Sequence, residues 1–393
     1  MNLSKKALTI SPSPTLSIDA KYKEMKSNGI DVIGFGAGEP DFDTPEHIKE
    51  AAIDAINAGM TKYTPASGTN QLKEAICKEL YDDNGLLYNI SDIVVSNGAK
   101  HSLVNVFSAI LNPGDEVIIP APYWVSYPEM VKLADGVPVA LHTDEDTNFK
   151  FSPEQLKAAI TPKTKAVVIN SPSNPTGMVY SKAELEQIAK VAVENDLFIV
   201  SDEIYEKIIY DVVHYSIASF GEDVKARTIL VNGVSKSYAM TGWRIGYTAS
   251  APEIAKAMAN IQSHATSNPS SISQAAAFAA LNGPQDTVDA MRSEFQLRRD
   301  FLVSVIGKIP GVSCLAPQGA FYVMMNIKNV LGKELKGKII NNSDEFCAHA
   351  LQTCNVALVP GTGFGADGYV RWSYATSMDN IKKGIERIAE FVQ

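Results

Sequence analysis

Thr228-Ile229-Leu230-Val231, then Asn232-Gly233-Val234-Ser235-Lys236, then Thr241-Gly242-Trp243-Arg244: here an apolar, β-branched run empties into a turn that carries a lysine and an arginine. Four runs of the same kind precede it: Ile93-Val94-Val95, Val117-Ile118-Ile119, Ala166-Val167-Val168-Ile169 and Leu197-Phe198-Ile199-Val200. Helical patterns lie between them. Leu103, Val106, Phe107 and Ile110 fall on one helical face, Asn112-Pro113-Gly114 breaks that pattern, and a second helix is expected from Lys182 to Glu194. Strands with apolar residues at consecutive positions, alternating with helices, predict a mostly parallel sheet covered on both faces.

Beyond this region the pattern changes. A charged helix with Arg292, Glu294, Arg298, Arg299 and Asp300 leads to Gly319-Ala320-Phe321-Tyr322-Val323-Met324, and a last strand is expected at Tyr369-Val370-Arg371-Trp372. The expected organisation is an α/β chain with a large domain at 46–285 and a smaller α/β domain formed by 1–45 together with 286–393.

The 393 residues are 45% hydrophobic and 20% charged, enough for two domains with a large core. The net charge of −9, without a basic run, argues against nucleic acid or an anionic membrane as partner. Cys77, Cys314, Cys347 and Cys354 form no C-x-x-C pair, and no apolar run approaches the ~20 residues a membrane helix needs. A cytoplasmic protein is the expectation. None of the six histidines sits in H-E-x-x-H or another ligand spacing, so no metal is expected.

In an open α/β sheet ligands bind beyond the carboxyl ends of the strands. There this sequence gathers Ser96-Asn97-Gly98-Ala99-Lys100 at a helix start, Asn170 to Gly177, Ser201-Asp202-Glu203-Ile204-Tyr205, and the Ser235-Lys236 turn with Arg244. Small residues at a helix start suit an anion. A lysine can form a Schiff base, and an acid can hold a pyridine nitrogen protonated. These residue types fit pyridoxal phosphate better than a dinucleotide. No strand-linked G-x-G-x-x-G occurs, and Gly34-x-Gly36-x-Gly38 runs into Glu39-Pro40 instead of a helix.

Over essentially its full length the sequence resembles the class I aminotransferases, which are fold type I pyridoxal-phosphate enzymes. The segments that carry the likeness are Ala37-Gly38-Glu39-Pro40-Asp41-Phe42, Tyr63-Thr64-Pro65, Pro122-Tyr123-Trp124, Ser173-Asn174-Pro175-Thr176-Gly177, Ser201 to Tyr205, Ser235-Lys236 with Arg244, and Tyr369-Val370-Arg371. Each is weak alone, but their order and spacing are specific. Gly242 to Tyr247 and Ser373 to Ser377 look like the bacterial aspartate aminotransferase branch.

A lone lysine is usually a solvated surface residue. The resemblance implies instead that Lys236 holds the cofactor as a Schiff base and then moves the substrate proton. Asp202, which could be a helix cap, is implied to face the pyridine nitrogen. Tyr205 and Asn174 would reach the phenolic oxygen, and Trp124 would stack on the ring. Arg244, Gly98, Ala99 and Ser235 would hold the phosphate, joined by a Tyr63 donated from a second subunit, which implies a homodimer with shared active sites. Arg371 would grip the α-carboxylate of an amino acid or 2-oxo acid, with Gly38 close by and Trp124 and Asn174 also facing substrate.

For the side chain of the substrate, the animal-type enzymes use an arginine shortly after a Ser-Asn-Pro segment. Ser267-Asn268-Pro269 is followed here by no arginine. In the branch resembled, the residue after the phosphate loop is a lysine serving dicarboxylates, and Lys100 stands there. Aspartate and 2-oxoglutarate are therefore the expected pair. Aromatic, alanine or prephenate aminotransferase are alternatives; prephenate use would draw on a basic residue near Ser11, where the chain has Ser11-Pro12-Ser13. Another fold type I enzyme, such as a carbon–sulfur lyase, would share Lys236, Asp202 and Arg371. A transcription factor with an aminotransferase-like domain would need a helix-turn-helix module ahead of the Gly-Glu-Pro segment, which begins at residue 38.

Overall fold

The computed structural model describes residues 2–12 and 14–393, so Ser13 of the Ser11-Pro12-Ser13 segment lies outside it. Its strands in chain order are β1 (Ile33–Gly34), β2 (Ile93–Ser96), β3 (Glu116–Ala121), β4 (Val137–His142), β5 (Thr164–Asn170), β6 (Phe198–Asp202), β7 (Thr228–Gly233), β8 (Gly246–Ala249), β9 (Ser313–Cys314), β10 (Tyr322–Asn326), β11 (Glu334–Leu335), β12 (Lys338–Ile339), β13 (Val356–Ala357), β14 (Val359–Pro360) and β15 (Tyr369–Ser373).

Seven of these form the central sheet in the order β2-β8-β7-β6-β5-β3-β4. All run parallel except β8, which is antiparallel to both β2 and β7. The five apolar runs thus become β2, β3, β5, β6 and β7. Successive side chains alternate between the two faces. Val94, Val117, Ile119, Val168, Val200 and Val231 pack with Leu103, Val106 and Phe107 on one face. Ile118, Val167, Ile169 and Ile199 pack with Leu185, Ile188 and Ala192 on the other. Burial on both faces explains why the strands read as continuous apolar runs.

The helix expected from Lys182 to Glu194 has those bounds. Ser181 accepts from the backbone N–H of Glu184, while the Glu184 side chain reaches back to the Ser181 N–H, which fixes where the helix starts. Sequence reading left out β4 and β8. The first is a half-exposed edge strand; the second is four residues long and opens on a glycine.

The later part of the chain forms a second, antiparallel sheet in the order β14-β15-β10-β9. Its core includes Phe295, Leu302, Phe321, Trp372, Ile381 and Ile388. β1 pairs in parallel with β13 as a separate two-stranded sheet, and the Ser373 N–H at the end of β15 donates to the Phe35 carbonyl (2.9 Å), tying the amino-terminal segment to the antiparallel sheet. The charged helix is Asp286–Ile306, but Arg298 and Arg299 are buried within it. Arg298 binds Asp41 and Glu294, and Arg299 binds Asp211 and Asp300. Among the described residues no helix is long and apolar enough to cross a membrane.

Candidate active site

The carboxyl ends of β2, β5, β6 and β7 open onto a cavity of about 320 Å³. Gly38, Ala99, Lys100, Trp124, Asn174, Asp202, Tyr205, Ser235, Lys236, Arg244 and Arg371 all line it. Residues far apart in sequence meet there because parallel strands end at one rim. Gly98 lies just outside the lining. A Cβ built on it would come 2.4 Å from Arg244 Nη2, and its φ is +88°. Only glycine admits the guanidinium this close. Tyr63 is not part of this cavity and is 90% exposed.

Gly98 caps the helix Ala99–Ile110, so backbone N–H groups at that helix start border the cavity. Gly246 on β8 allows the same loop to pack down: a Cβ there would meet Ala99 N at 2.2 Å. Arg244 follows the short turn Thr241–Trp243 with φ +57° and donates to the carbonyls of Thr241 (2.9 Å) and Asn97 (3.3 Å).

Lys236 lies on the turn after β7, and its Nζ donates to the Gly38 carbonyl. Burial, aided by the charges of Arg244 and Arg371 and opposed by Glu39 and Asp202, lowers its pKa to about 8. An amine so placed is partly neutral near physiological pH. Asp202, at the end of β6, is 3% exposed. Tyr127 donates to its Oδ2 at 2.6 Å, and the Ile204 N–H donates to Oδ1 at 3.3 Å. Burial still pushes its pKa up to about 6, against those hydrogen bonds.

Arg371, on β15, is 2% exposed. Nη1 donates to Asn174 Oδ1 (3.0 Å) and Nη2 to the Gly36 carbonyl (2.8 Å). Its Nε is buried with no hydrogen-bond partner among the described residues. Loss of solvent lowers its pKa, though not enough to neutralise a guanidinium. The Lys100 amine sits 5.0 Å from the Trp124 ring centroid; the residue is exposed, and partial loss of solvent with the charge of Arg244 lowers its pKa.

The Tyr205 hydroxyl lies 2.9 Å from that of Tyr322, a partner that sequence reading passed over as a strand residue. Tyr127 was missed as well. It stands three positions after Trp124 on the helix Ser126–Leu133, and its ring meets Trp124 edge-on at 5.3 Å. Nothing in its spacing separates it from a core tyrosine. Asn170, read from the sequence only as the start of a rim segment, braces two of its neighbours: Nδ2 donates to the Asp202 carbonyl, and Oδ1 accepts from the Asn174 N–H.

Behind Asp202 lies a buried group that the sequence did not announce. Glu203 accepts from Ser201 (2.7 Å) and Ser216 (2.8 Å) and meets His214 Nε2 at 3.1 Å. Glu206 accepts from Asn232 (2.6 Å) and Asn84 (3.1 Å), and burial pushes its pKa up to about 8. Protein donors reach both carboxyl groups.

The fold is that of the fold type I enzymes. The family model for aminotransferase class I and II matches residues 30–388, and the chain belongs to that family. An aspartate aminotransferase of Bacillus sp. (strain YM-2) is 54% identical, over 100% of this chain and 99% of the relative. An aspartate/prephenate aminotransferase of Nitrosomonas europaea is 48% identical over the whole of both. The crystal structure of the aspartate aminotransferase from Rhizobium meliloti superposes with a TM-score of 0.97 at 47% identity, covering 100% of this chain and 99% of that one.

The family works with pyridoxal 5'-phosphate. The residues present suit that group. A buried acid at the rim is matched to a protonated pyridine nitrogen, a guanidinium packed on Gly98 beside a helix start to a phosphate, and a lysine of lowered pKa to an aldehyde.

Proposed function

We propose that this protein transfers the amino group of L-aspartate to 2-oxoglutarate, giving oxaloacetate and L-glutamate. The observation that carries this reading is a pair of cations, buried Arg371 and Lys100 beside Trp124, lining the same cavity as Lys236. A substrate with two carboxylates needs two such groups.

Bound pyridoxal phosphate supplies an aldehyde that takes up the amino group and a ring that withdraws electrons. The chain's own residues do the rest. Asp202 keeps a proton on the ring nitrogen. Arg244, Ser235, Gly98 and Ala99 hold the phosphate, Trp124 stacks on the ring, and Asn174 and Tyr205 serve the phenolic oxygen. Arg371 takes the α-carboxylate as a planar fork beside Gly38. Lys236 Nζ removes the proton at the substrate's Cα, for which a pKa of about 8 is suited. Lys100 reads the distal carboxylate.

Tyr63, with the exposed Ile53, Ile56 and Met60 near it in the chain, supports a homodimer in which each copy lends this tyrosine to the other's phosphate. The pairing of β1 with β13 supports a small domain of 1–45 and 286–393 set against a large domain of 46–285. Four unpaired cysteines support a reducing, cytoplasmic location.

Steady-state assays of Lys100→Ala test the substrate. Loss of a charge-assisted contact of ~2 kcal/mol lowers kcat/KM for aspartate about 30-fold. Turnover of an apolar amino acid should stay unchanged. Equal loss on both would remove Lys100 from the reading.

A further inference from the structure

Two glutamines, both away from the cavity, hold the segment that carries Tyr63. Gln262, on the helix Pro252–Ala265, is 0% exposed. Its Nε2 donates to the carbonyls of Ala66 (2.6 Å) and Val95 (2.7 Å). Its Oε1 accepts from Ser96 Oγ (2.6 Å) and Asn105 Nδ2 (2.8 Å). A primary amide has two N–H groups and two lone pairs on oxygen, so all four valences are used. No other side-chain type of this size could meet two carbonyls and two donors at once.

The four partners belong to three elements: the Tyr63 segment (Ala66), β2 (Val95 and Ser96) and the helix Ala99–Ile110 (Asn105). Ala66 lies three residues after Tyr63, and the next residue, Ser67, accepts from the Val95 N–H at 3.0 Å. Ser96 ends β2 and leads within two residues to Gly98, where the anion cradle begins. Gln274, 1% exposed, fixes the same segment from the helix Ser271–Asn282. It accepts from the Thr69 N–H (2.8 Å) and donates to Thr64 Oγ1 (3.0 Å) and the Pro269 carbonyl (2.9 Å).

We infer that Gln262 is a positioning residue that sets the Tyr63 segment and the Gly98 cradle relative to each other, and so tunes the grip on the cofactor's phosphate in both subunits of the dimer. This rests on the phosphate roles proposed above for Tyr63 and Gly98. Because the Gln262 amide and the Val95–Ser67 backbone hydrogen bond join the two segments, displacement of one is felt by the other. Gln274 steadies only the Tyr63 side.

The test separates phosphate grip from general stability. Apo-protein is titrated with pyridoxal phosphate and with pyridoxal, which lacks the phosphate. Gln262→Met keeps the volume and removes all four hydrogen bonds. It should weaken pyridoxal phosphate about tenfold and pyridoxal by less than about twofold. In a Tyr63→Phe background the same change should cost only about threefold, because the Ser96 route alone remains. Should Gln262→Met not fold, Ser96→Ala, which removes a donor to Gln262 Oε1, carries the question, with a phosphate-selective loss of about threefold expected. Affinities for both vitamers that fall in step, or that stay at wild-type values in the folded variants, overturn the inference. Wild-type protein that takes up neither vitamer overturns the cofactor reading and this inference with it.

Discussion

Tyr127 donates a 2.6 Å hydrogen bond to Asp202 Oδ2, and both side chains are buried, at 2% and 3% exposure. The bond favours the charged carboxylate and partly offsets the cost of burying it. Tyr127→Phe therefore raises the Asp202 pKa further above 6 and destabilises the folded protein by about 2 kcal/mol at neutral pH. Chemical denaturation of apo-protein at pH 8 checks this. A variant as stable as the wild type would show that the contact contributes nothing.

Asp202 has a folded pKa of about 6, raised by burial above its ordinary value of 3.8. The folded state thus binds more protons than the unfolded one between those values. Stability from this group is fully present below pH 4 and is lost as pH rises through 6, at a cost of about 3 kcal/mol. Asp202→Asn removes the titration: its amide oxygen can still accept from Tyr127, but its amide nitrogen cannot accept from the Ile204 N–H. Relative to wild type, the apo-variant should therefore gain about 3 kcal/mol on going from pH 4 to pH 8, offset at every pH by the lost backbone contact. A gap that does not widen with pH would contradict the buried-carboxylate account. Transamination should fall steeply in the same variant.

For Lys236 the neutral amine is the reactive form. With its pKa lowered to about 8, covalent uptake of pyridoxal phosphate by apo-protein should accelerate with pH and level off above about 8. Stopped-flow absorbance from pH 6 to 11 follows it. A rate still climbing at pH 10 would mean the amine titrates like a solvated lysine.

Arg371→Lys keeps a positive charge but cannot reach Asn174 and the Gly36 carbonyl together and still face a carboxylate. The expected loss in kcat/KM is on the order of 100-fold for every amino acid tested, aspartate or not. This contrasts with the substrate-selective loss expected at Lys100, so the two cations can be told apart by comparing donors. A selective loss at Arg371 would reverse their assignments.

A methyl group at position 246 would stand 2.2 Å from Ala99 N. Gly246→Ala should therefore destabilise the fold by about 3 kcal/mol and loosen cofactor binding, as read by thermal melting with and without pyridoxal phosphate.

Periodicity made the central sheet readable because its strands are buried on both faces, so β2, β3, β5, β6 and β7 stand out as unbroken apolar runs. It failed at β4, whose residues are half exposed, and at β8, where Gly246 and the polar Thr248 dilute the signal. The polar rim was legible for a different reason. Asn174, Asp202, Tyr205, Lys236, Arg244 and Arg371 occur in short segments whose order matches a family, and the fold brings those segments to one cavity. Tyr127, Tyr322 and Asn170 carried no such mark. A tyrosine on an apolar helix face or an inner strand looks like core until its hydroxyl is seen to meet Asp202 or Tyr205. Gln262 was equally silent, since nothing local distinguishes a glutamine that bridges segments some 160 or more residues away in sequence from one facing water.

Ser235, Lys236 and Arg244 all lie on the single excursion from β7 to the antiparallel β8, two adjacent strands of the central sheet. A backbone break anywhere between Lys236 and Arg244 would leave the amine proposed to bond the aldehyde on one fragment and the guanidinium proposed to hold the phosphate on the other. Complementation from split halves should thus fail at this excursion, where one cut parts two groups only eight residues apart in the chain.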